Sequence, residues 1–272
     1  MKKISYSLLF LLLIACEEVP VFDEQQTRPV VQAYLYAGKS VDSLYVTTLV
    51  PFNSGLEEAP PVTDANLVLE TDGQSFPLSA STEAPGYYQY EGDDLTIEVS
   101  STYRLSFEFE GSEVQAETTV PTPPTNLTLS AQEIFLPQFT DPRELFQNRD
   151  LLQQTISLEW SYEEDASYYM VVENLEGSPE AINLSDLDQR FTRFVTRPTQ
   201  DNFLEIRPLG QFQYFGRHRI RVYKVNEEYV NLYESLEQDS RNLNEPYSNI
   251  QNGLGIFTAF SFQETYLEVK KQ

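Results

Sequence analysis

The sequence predicts a mostly β protein built as two tandem β-sandwich domains, immunoglobulin-like first and fibronectin type III-like second. Three observations carry this. Residues 103–120 alternate apolar and polar side chains around a turn, which gives an antiparallel pair one buried face and one wet face. The chain is rich in tyrosine and phenylalanine, 17 of each, and poor in alanine-rich helical patterning. Three prolines in four residues, Pro121-Thr122-Pro123-Pro124, cannot pair inside a sheet and divide the chain near its middle.

The first residues come before either domain. Lys2 and Lys3 precede the apolar run Leu8 to Ile14, too short for a bilayer of roughly 30 Å. A basic start, a short apolar core and a small residue before a cut describe a signal peptide, here residues 1–15. Leu13-Ile14-Ala15-Cys16 resembles a bacterial lipobox, whose cysteine thiol is acylated; that resemblance makes Cys16 the lipidation site. Cys16 is the only cysteine, so no internal disulfide can form and each core holds by packing. Stable anchoring takes at least two acyl chains, which lipoproteins of this kind carry. Residues 16–27 then read as a lipidated acidic tether. Glu17-Glu18 resembles a surface-export signal, and equally any polar tether.

The first domain is expected over 28–120. Val30, Gln32, Tyr34 and Tyr36 alternate with Val31, Ala33 and Leu35; Gly38-Lys39 turns the chain; Leu44 to Leu49 return, making a hairpin. Residues 52–63 form a loop. Asn66 to Glu70 and Ser75 to Leu78 flank Asp72-Gly73, a pair suited to a two-residue turn. Gly86 to Tyr90 is a short strand. Tyr103 to Phe109 and Val114 to Val120 make the clearest hairpin, turned at Gly111-Ser112. Tyr103 sits where an immunoglobulin-like fold places its tyrosine corner.

Residues 121–124 are the linker, and 125–272 the second domain, with helices near 141–152 and 226–240. Asn126 to Ser130 reads as a strand. Asp141-Pro142 can start a helix, and Leu145, Phe146, Arg149 and Leu152 follow at helical spacing. Ile156, Leu158 and Trp160 share one strand face. A strand ending in tryptophan, then Ala166-x-Tyr-Tyr-x-Val-Val172, resembles the B and C strands of fibronectin type III domains. Trp160 is a core residue or a ligand-stacking one. Phe203 to Ile206 and Gly216 to Val225 are strands; the latter sets His218, Ile220 and Val222 against Arg217, Arg219, Arg221 and Tyr223. Asn226 can cap a helix whose Tyr229, Leu232, Tyr233 and Leu236 form one stripe. That stripe packs on its own sandwich or faces a partner. Ile256 to Val269 is a closing strand or strand pair.

Chemistry is hard to find. The single histidine, His218, can build neither a multi-histidine metal site nor, without help, a triad. No phosphate loop or EF-hand appears. Gly92-Asp93-Asp94 and Asp239 could touch calcium, although loop acids are usually just solvated. Among 42 acids nothing selects a carboxylate pair. The expectation is no enzyme, no cofactor and no metal. Net charge is −24, and −26 without residues 1–15, which argues against nucleic acid and anionic headgroups. Arg197, Arg207, Arg217, Arg219 and Arg221 cluster within 25 residues. They pair internally with surplus acids or dock on an acidic partner. Tyr229, Tyr233, Arg217, Arg219 and Arg221 are therefore the candidate partner contacts.

Four stretches together are similar to one family: the lipobox, Val30-Val-Gln-Ala-Tyr34, Thr118-Thr-Val-Pro121 and, most specifically, Ser248-Asn-Ile-Gln-Asn-Gly-Leu-Gly-Ile-Phe257. It is the Bacteroidetes lipoprotein family known as domain of unknown function 4249. The resemblance implies an outer-membrane, surface-exposed lipoprotein, with the periplasmic face as the other orientation. It also implies an accessory or ligand-capture role beside a TonB-dependent transporter barrel. A fold does not fix function. Two alternatives stand: a free-standing glycan-binding or adhesion protein, supported by Tyr87-Tyr88 and Tyr168-Tyr169, and a hydrolase.

Overall fold

A computed structural model describes residues 27–272 except 43, 51–54, 142, 145–148, 185–190 and 237–245. Cys16 and the expected signal peptide, residues 1–15, lie outside the described residues, as do Pro142, Leu145, Phe146 and Asp239.

Strands dominate. The first half contains β1 (Pro29–Tyr36), β2 (Leu44–Thr48), β3 (Val68–Thr71), β4 (Gln74–Pro77), β5 (Ser79–Ala80), β6 (Tyr87–Gln89), β7 (Thr102–Phe109) and β8 (Ser112–Thr119). The second contains β9 (Thr128–Leu129), β10 (Glu133–Leu136), α1 (Arg149–Gln153), β11 (Ile156–Glu159), β12 (Ser167–Asn174), β13 (Arg193–Val195), β14 (Phe203–Ile206), α2 (Pro208–Gln211), β15 (Gly216–Val225), α3 (Glu227–Leu236) and β16 (Leu254–Lys271). The β5, β10, β13 and α2 elements carry too little periodicity to be read from sequence. The β7–β8 turn falls on Glu110-Gly111, both at positive φ, one residue before the expected pair. Asp141 starts its segment as expected, its Oδ1 accepting the Arg143 N–H at 2.8 Å.

Three sheets form. A nine-stranded sheet runs β13-β12-β15-β16-β1-β2-β6-β5, with β10 also on β16. A four-stranded sheet, β4-β3-β7-β8, covers one half of it, and a three-stranded sheet, β14-β11-β9, covers the other. Between the layers lie two cores. The first gathers Val31, Ala33 and Leu35 with Leu69, Tyr103, Leu105, Phe107 and Val114. The second gathers Leu158, Trp160, Tyr168, Met170, Val172, Ile220 and Val222. Tyr103 anchors locally as expected, its hydroxyl accepting the Glu98 N–H at 2.9 Å.

One expectation needs correcting. Residues 125–272 do not all belong to the second half. β16 is a single strand that serves both. Its first part lies parallel to β1, Val30↔Leu254 through Tyr36↔Phe260. Its continuation is antiparallel to β15, Val225↔Phe260 through Gly216↔Val269. Side chains alternate across a strand. Phe257 and Ala259 therefore enter the first core, and Leu267 and Val269, on the same face further along, enter the second.

Sharp local geometry lets the chain return to β1. Gly255 has φ +100°, and a Cβ there would lie 2.0 Å from the Val31 carbonyl oxygen. Asn252, at φ +57°, donates its side-chain amide to the Glu113 carbonyl at 2.7 Å, and Gln251 bridges Gln115. The Ser248–Phe257 motif is thus a clasp that seats the last strand between β1 and β8.

Candidate functional site

The other face of β16 carries the most distinctive surface. Register sets the rings side by side: Tyr169 lies opposite Tyr223, Tyr223 opposite Phe262, and Tyr36 opposite Phe260. Cross-strand aromatic neighbours of this kind are a main source of sheet stability. Tyr169 and Tyr223 stack at 4.9 Å and 7°, and Tyr36 and Phe260 at 5.2 Å and 25°. Each such pair contributes about 0.5–1.5 kcal/mol beyond area burial.

α3 roofs this seam. Tyr229 stacks on Tyr169 at 5.6 Å and meets Phe260 edge-on at 5.1 Å. Burial pushes the Tyr36 hydroxyl up to about 12 and raises those of Tyr34, Tyr169 and Tyr229, with neighbouring phenols adding to the effect at Tyr36, Tyr169 and Tyr229. These groups stay protonated at any ordinary pH. The Asn226 side chain reaches beyond its own helix. Its amide donates to Thr118 Oγ1 and the Thr119 carbonyl, 3.0 and 2.8 Å away. Glu228 Oε1 accepts from Thr118, Asn226 and Thr258 at 2.7, 3.1 and 3.2 Å. The start of α3 is thereby tied to β8 and β16 at once.

Beyond the helix the same face becomes a charged ladder. Arg219 pairs with Glu173 at 2.5 Å, and Arg221 with Glu264 at 2.9 Å. Arg217 lies over the Tyr266 ring at 4.2 Å, and Arg221 over Phe262 at 4.9 Å. Tyr266 donates to Glu264, and this bond, reinforced by Arg221, lowers the Glu264 carboxyl. Arg219 and Arg221 are thus paired with acids of their own sheet, and Arg217 rests on a ring of it. The two tyrosines of the candidate set divide. Tyr229 faces the seam. Tyr233 lines a groove of about 340 Å³ with Val230, Glu234, Arg197, Pro198 and Thr199.

His218 is 2% exposed and packs on Phe212. Asn174 Oδ1 accepts from the Glu176 N–H, and its Nδ2 donates to the Phe215 carbonyl. That orientation leaves the His218 Nε2 to accept from the same amide at 3.1 Å while Nδ1–H donates to Gly216. Burial lowers its pKa to about 4, outweighing the Gly216 carbonyl and Glu176. Both ring nitrogens are committed to structure. Trp160 is 3% exposed and meets Tyr168 edge-on, a core position. Tyr88 and Tyr168 are core residues too, whereas Tyr87 is 40% exposed and stacks on Tyr45. Among the described residues no group of three or more His, Cys, Asp or Glu could hold a metal ion. No helix among them is long and apolar enough to cross a membrane.

Sequence reasoning missed Asn249, Gly255 and Glu228 as architectural residues. Asn249 and Gly255 lie in the stretch that carries the family resemblance, but nothing local says which strands they join.

Residues 17–265 match the family described as Domain of unknown function (DUF4249). Comparison with curated proteins gives no match. Solved structures similar to the chain include a cytokine receptor complex, crystal form 1A, with 11% identity, 88% of this chain and 95% of that one covered, and a TM-score of 0.27. The FN1–FN3 domains of chicken CNTN1 match with 12% identity, 75% and 60% coverage and a TM-score of 0.27. A 1.5-MDa bacterial ice-binding adhesin, studied for host cell surface retention, matches with 8% identity, 92% and 67% coverage and a TM-score of 0.22.

Proposed function

The chain belongs to the DUF4249 family, and from that premise we propose that it is a non-catalytic, lipid-anchored outer-membrane protein acting as an accessory or ligand-capture component of a TonB-dependent transporter. The observation that carries this is the leader, whose apolar run ends in Leu13-Ile14-Ala15-Cys16 with the chain's only cysteine at the acylation position. In this reading the lipid on Cys16 holds the protein and the acidic tether leads into β1. The two cores are then an immunoglobulin-like and a fibronectin type III-like sandwich sharing one sheet. Two features of the fold support a binding role over a chemical one. His218 is locked by Gly216 and Asn174, and Arg219 and Arg221 are neutralised by Glu173 and Glu264. The surface left for a partner is the outer side of α3, with Tyr233 and the exposed Leu236, beside the ladder.

Tyr87, exposed and stacked on the half-buried Tyr45, favours the glycan-binding alternative. By contrast, Arg217 and Arg221 cover the rings of Tyr266 and Phe262, so the ladder offers a sugar no bare stacking platform there. The deciding experiment is purification of a C-terminally tagged chain from outer membranes in mild detergent. The proposal expects a β-barrel in stoichiometric yield. A lipoprotein recovered alone would overturn it and favour the glycan reading.

A further inference from the structure

We propose that the parallel pairing of β1 with β16 is a mechanical clamp, which carries as shear any pull between the N-terminal tether and the second core. The inference takes from the anchoring proposal only the place where load enters.

Chain direction supplies the argument. β1 begins at Pro29, so tension on the preceding chain draws it back towards that end. β16 runs the same way and continues past Phe260 into the second core. There β15 holds residues 260–269 and β10 holds 268–271. Tension on the second core therefore draws β16 towards its C-terminal end. Two parallel strands pulled from opposite ends must slide past each other. Their evenly spaced hydrogen bonds are then loaded together, not opened one after another. Because β1 touches β16 directly, the load path bypasses β2 to β8 and the 121–124 linker.

Two features oppose the slide. Val31, Ala33, Leu35, Phe257 and Ala259 are at most 1% exposed, so water reaches little of the ladder before the strands move. Gly255 acts as a register peg. A Cβ at its position would lie 2.0 Å from the Val31 carbonyl oxygen, so a one-residue slip drives the side chain of Leu254 or Ile256 into the β1 backbone. A slip of one residue also turns every buried side chain to the wrong face.

Single-molecule pulling tests this. The chain from residue 16, carrying Cys16→Ser, has no other cysteine, so paired handles can be placed by substitution. Thr27→Cys with Gln272→Cys loads the ladder in shear. Lys39→Cys with Gln272→Cys enters at the Phe260 end, where Lys39 is exposed, and peels the ladder pair by pair. At one loading rate the shear geometry should need at least about twice the force of the peeling geometry, since forced unfolding reads the unfolding barrier directly. Its first event should release chain only as far as the 121–124 linker. Equal forces in the two geometries, or second-core unfolding first under shear, would overturn the clamp. The handles replace the lipid, so this outcome is independent of anchoring. If anchoring is wrong, the full-length Cys16→Ser chain stays with membranes whatever the force measurement gives.

Discussion

Asn249 grips the backbone of Phe257 with both ends of its side-chain amide. Its Nδ2 donates to the Phe257 carbonyl at 2.7 Å, and its Oδ1 accepts the Phe257 N–H at 3.0 Å. The pair closes the 249–257 loop and fixes where β16 begins. Asn249→Ala removes both bonds and leaves two backbone groups of the buried Phe257 without these partners. Urea denaturation should show a loss of about 1–3 kcal/mol; an unchanged midpoint would mean that the clasp is dispensable.

Two glycines at positive φ should respond very differently to alanine. At Gly73, φ +75°, an added Cβ meets nothing within 4 Å. Gly73→Ala should cost about 1 kcal/mol, the backbone preference alone. At Gly255 the same change adds a clash with Val31 backbone. It should cost more than about 3 kcal/mol or prevent folding. Thermal melts of the two variants side by side check the ordering.

His218 makes stability depend on pH. The unfolded imidazole takes up a proton near pH 6.5, and the folded one resists until about pH 4. The contribution is therefore complete above pH 6.5 and is lost as the pH falls towards 4. Its full size is about 3 kcal/mol. His218→Gln should flatten the stability profile between pH 6.5 and 5, above most carboxylate titration. A variant whose profile keeps the original slope there would show that other groups set it.

Tyr229 joins α3 to the sheet through Tyr169 and Phe260. Tyr229→Ala should cost about 1–2 kcal/mol and speed amide exchange in α3, with the cores still protected. Tyr233→Ala, in the groove rim, should leave stability nearly unchanged and act on partner binding alone. Exchange by mass spectrometry separates the two.

On the proposed lipid attachment, Cys16→Ser should move the full-length chain from the membrane fraction to the soluble fraction, because it removes the thiol that would be acylated. Fractionation of cells expressing the variant checks it, and retention in the membrane fraction would refute the lipid attachment.

Local patterns told much of this in advance. Gly216 to Val225 is a strand to the residue, with Ile220 and Val222 inward and the arginines outward. The alternation in β7 and β8, the Tyr103 anchor and the buried Trp160 were equally legible, because burial on one face imposes a period of two. The second partner of β1 was not, although its hairpin with β2 was. Strand periodicity reports which face is buried and is silent about the neighbouring strand. Here the neighbour, β16, lies more than 200 residues away. A proline-rich stretch likewise reads as a boundary whether or not a later strand crosses it. The sequence left the arginines between internal pairing and docking because the acidic partners of Arg219 and Arg221, Glu173 and Glu264, come from other strands. The stacking of Tyr36, Tyr169 and Tyr229 depends on the same long-range register.

The central claim is that β16, shared by both cores, makes them one thermodynamic body at equilibrium. Trp160, the only tryptophan, lies in the second core, so its fluorescence reports that core alone, while far-UV circular dichroism reports all the strands. Urea unfolding of the chain from residue 16, followed by both signals, tests the claim directly. Superimposable transitions that shift together in Asn249→Ala, a first-core change, are the predicted result. Two separate transitions, with the Trp160 midpoint unmoved by Asn249→Ala, would contradict it.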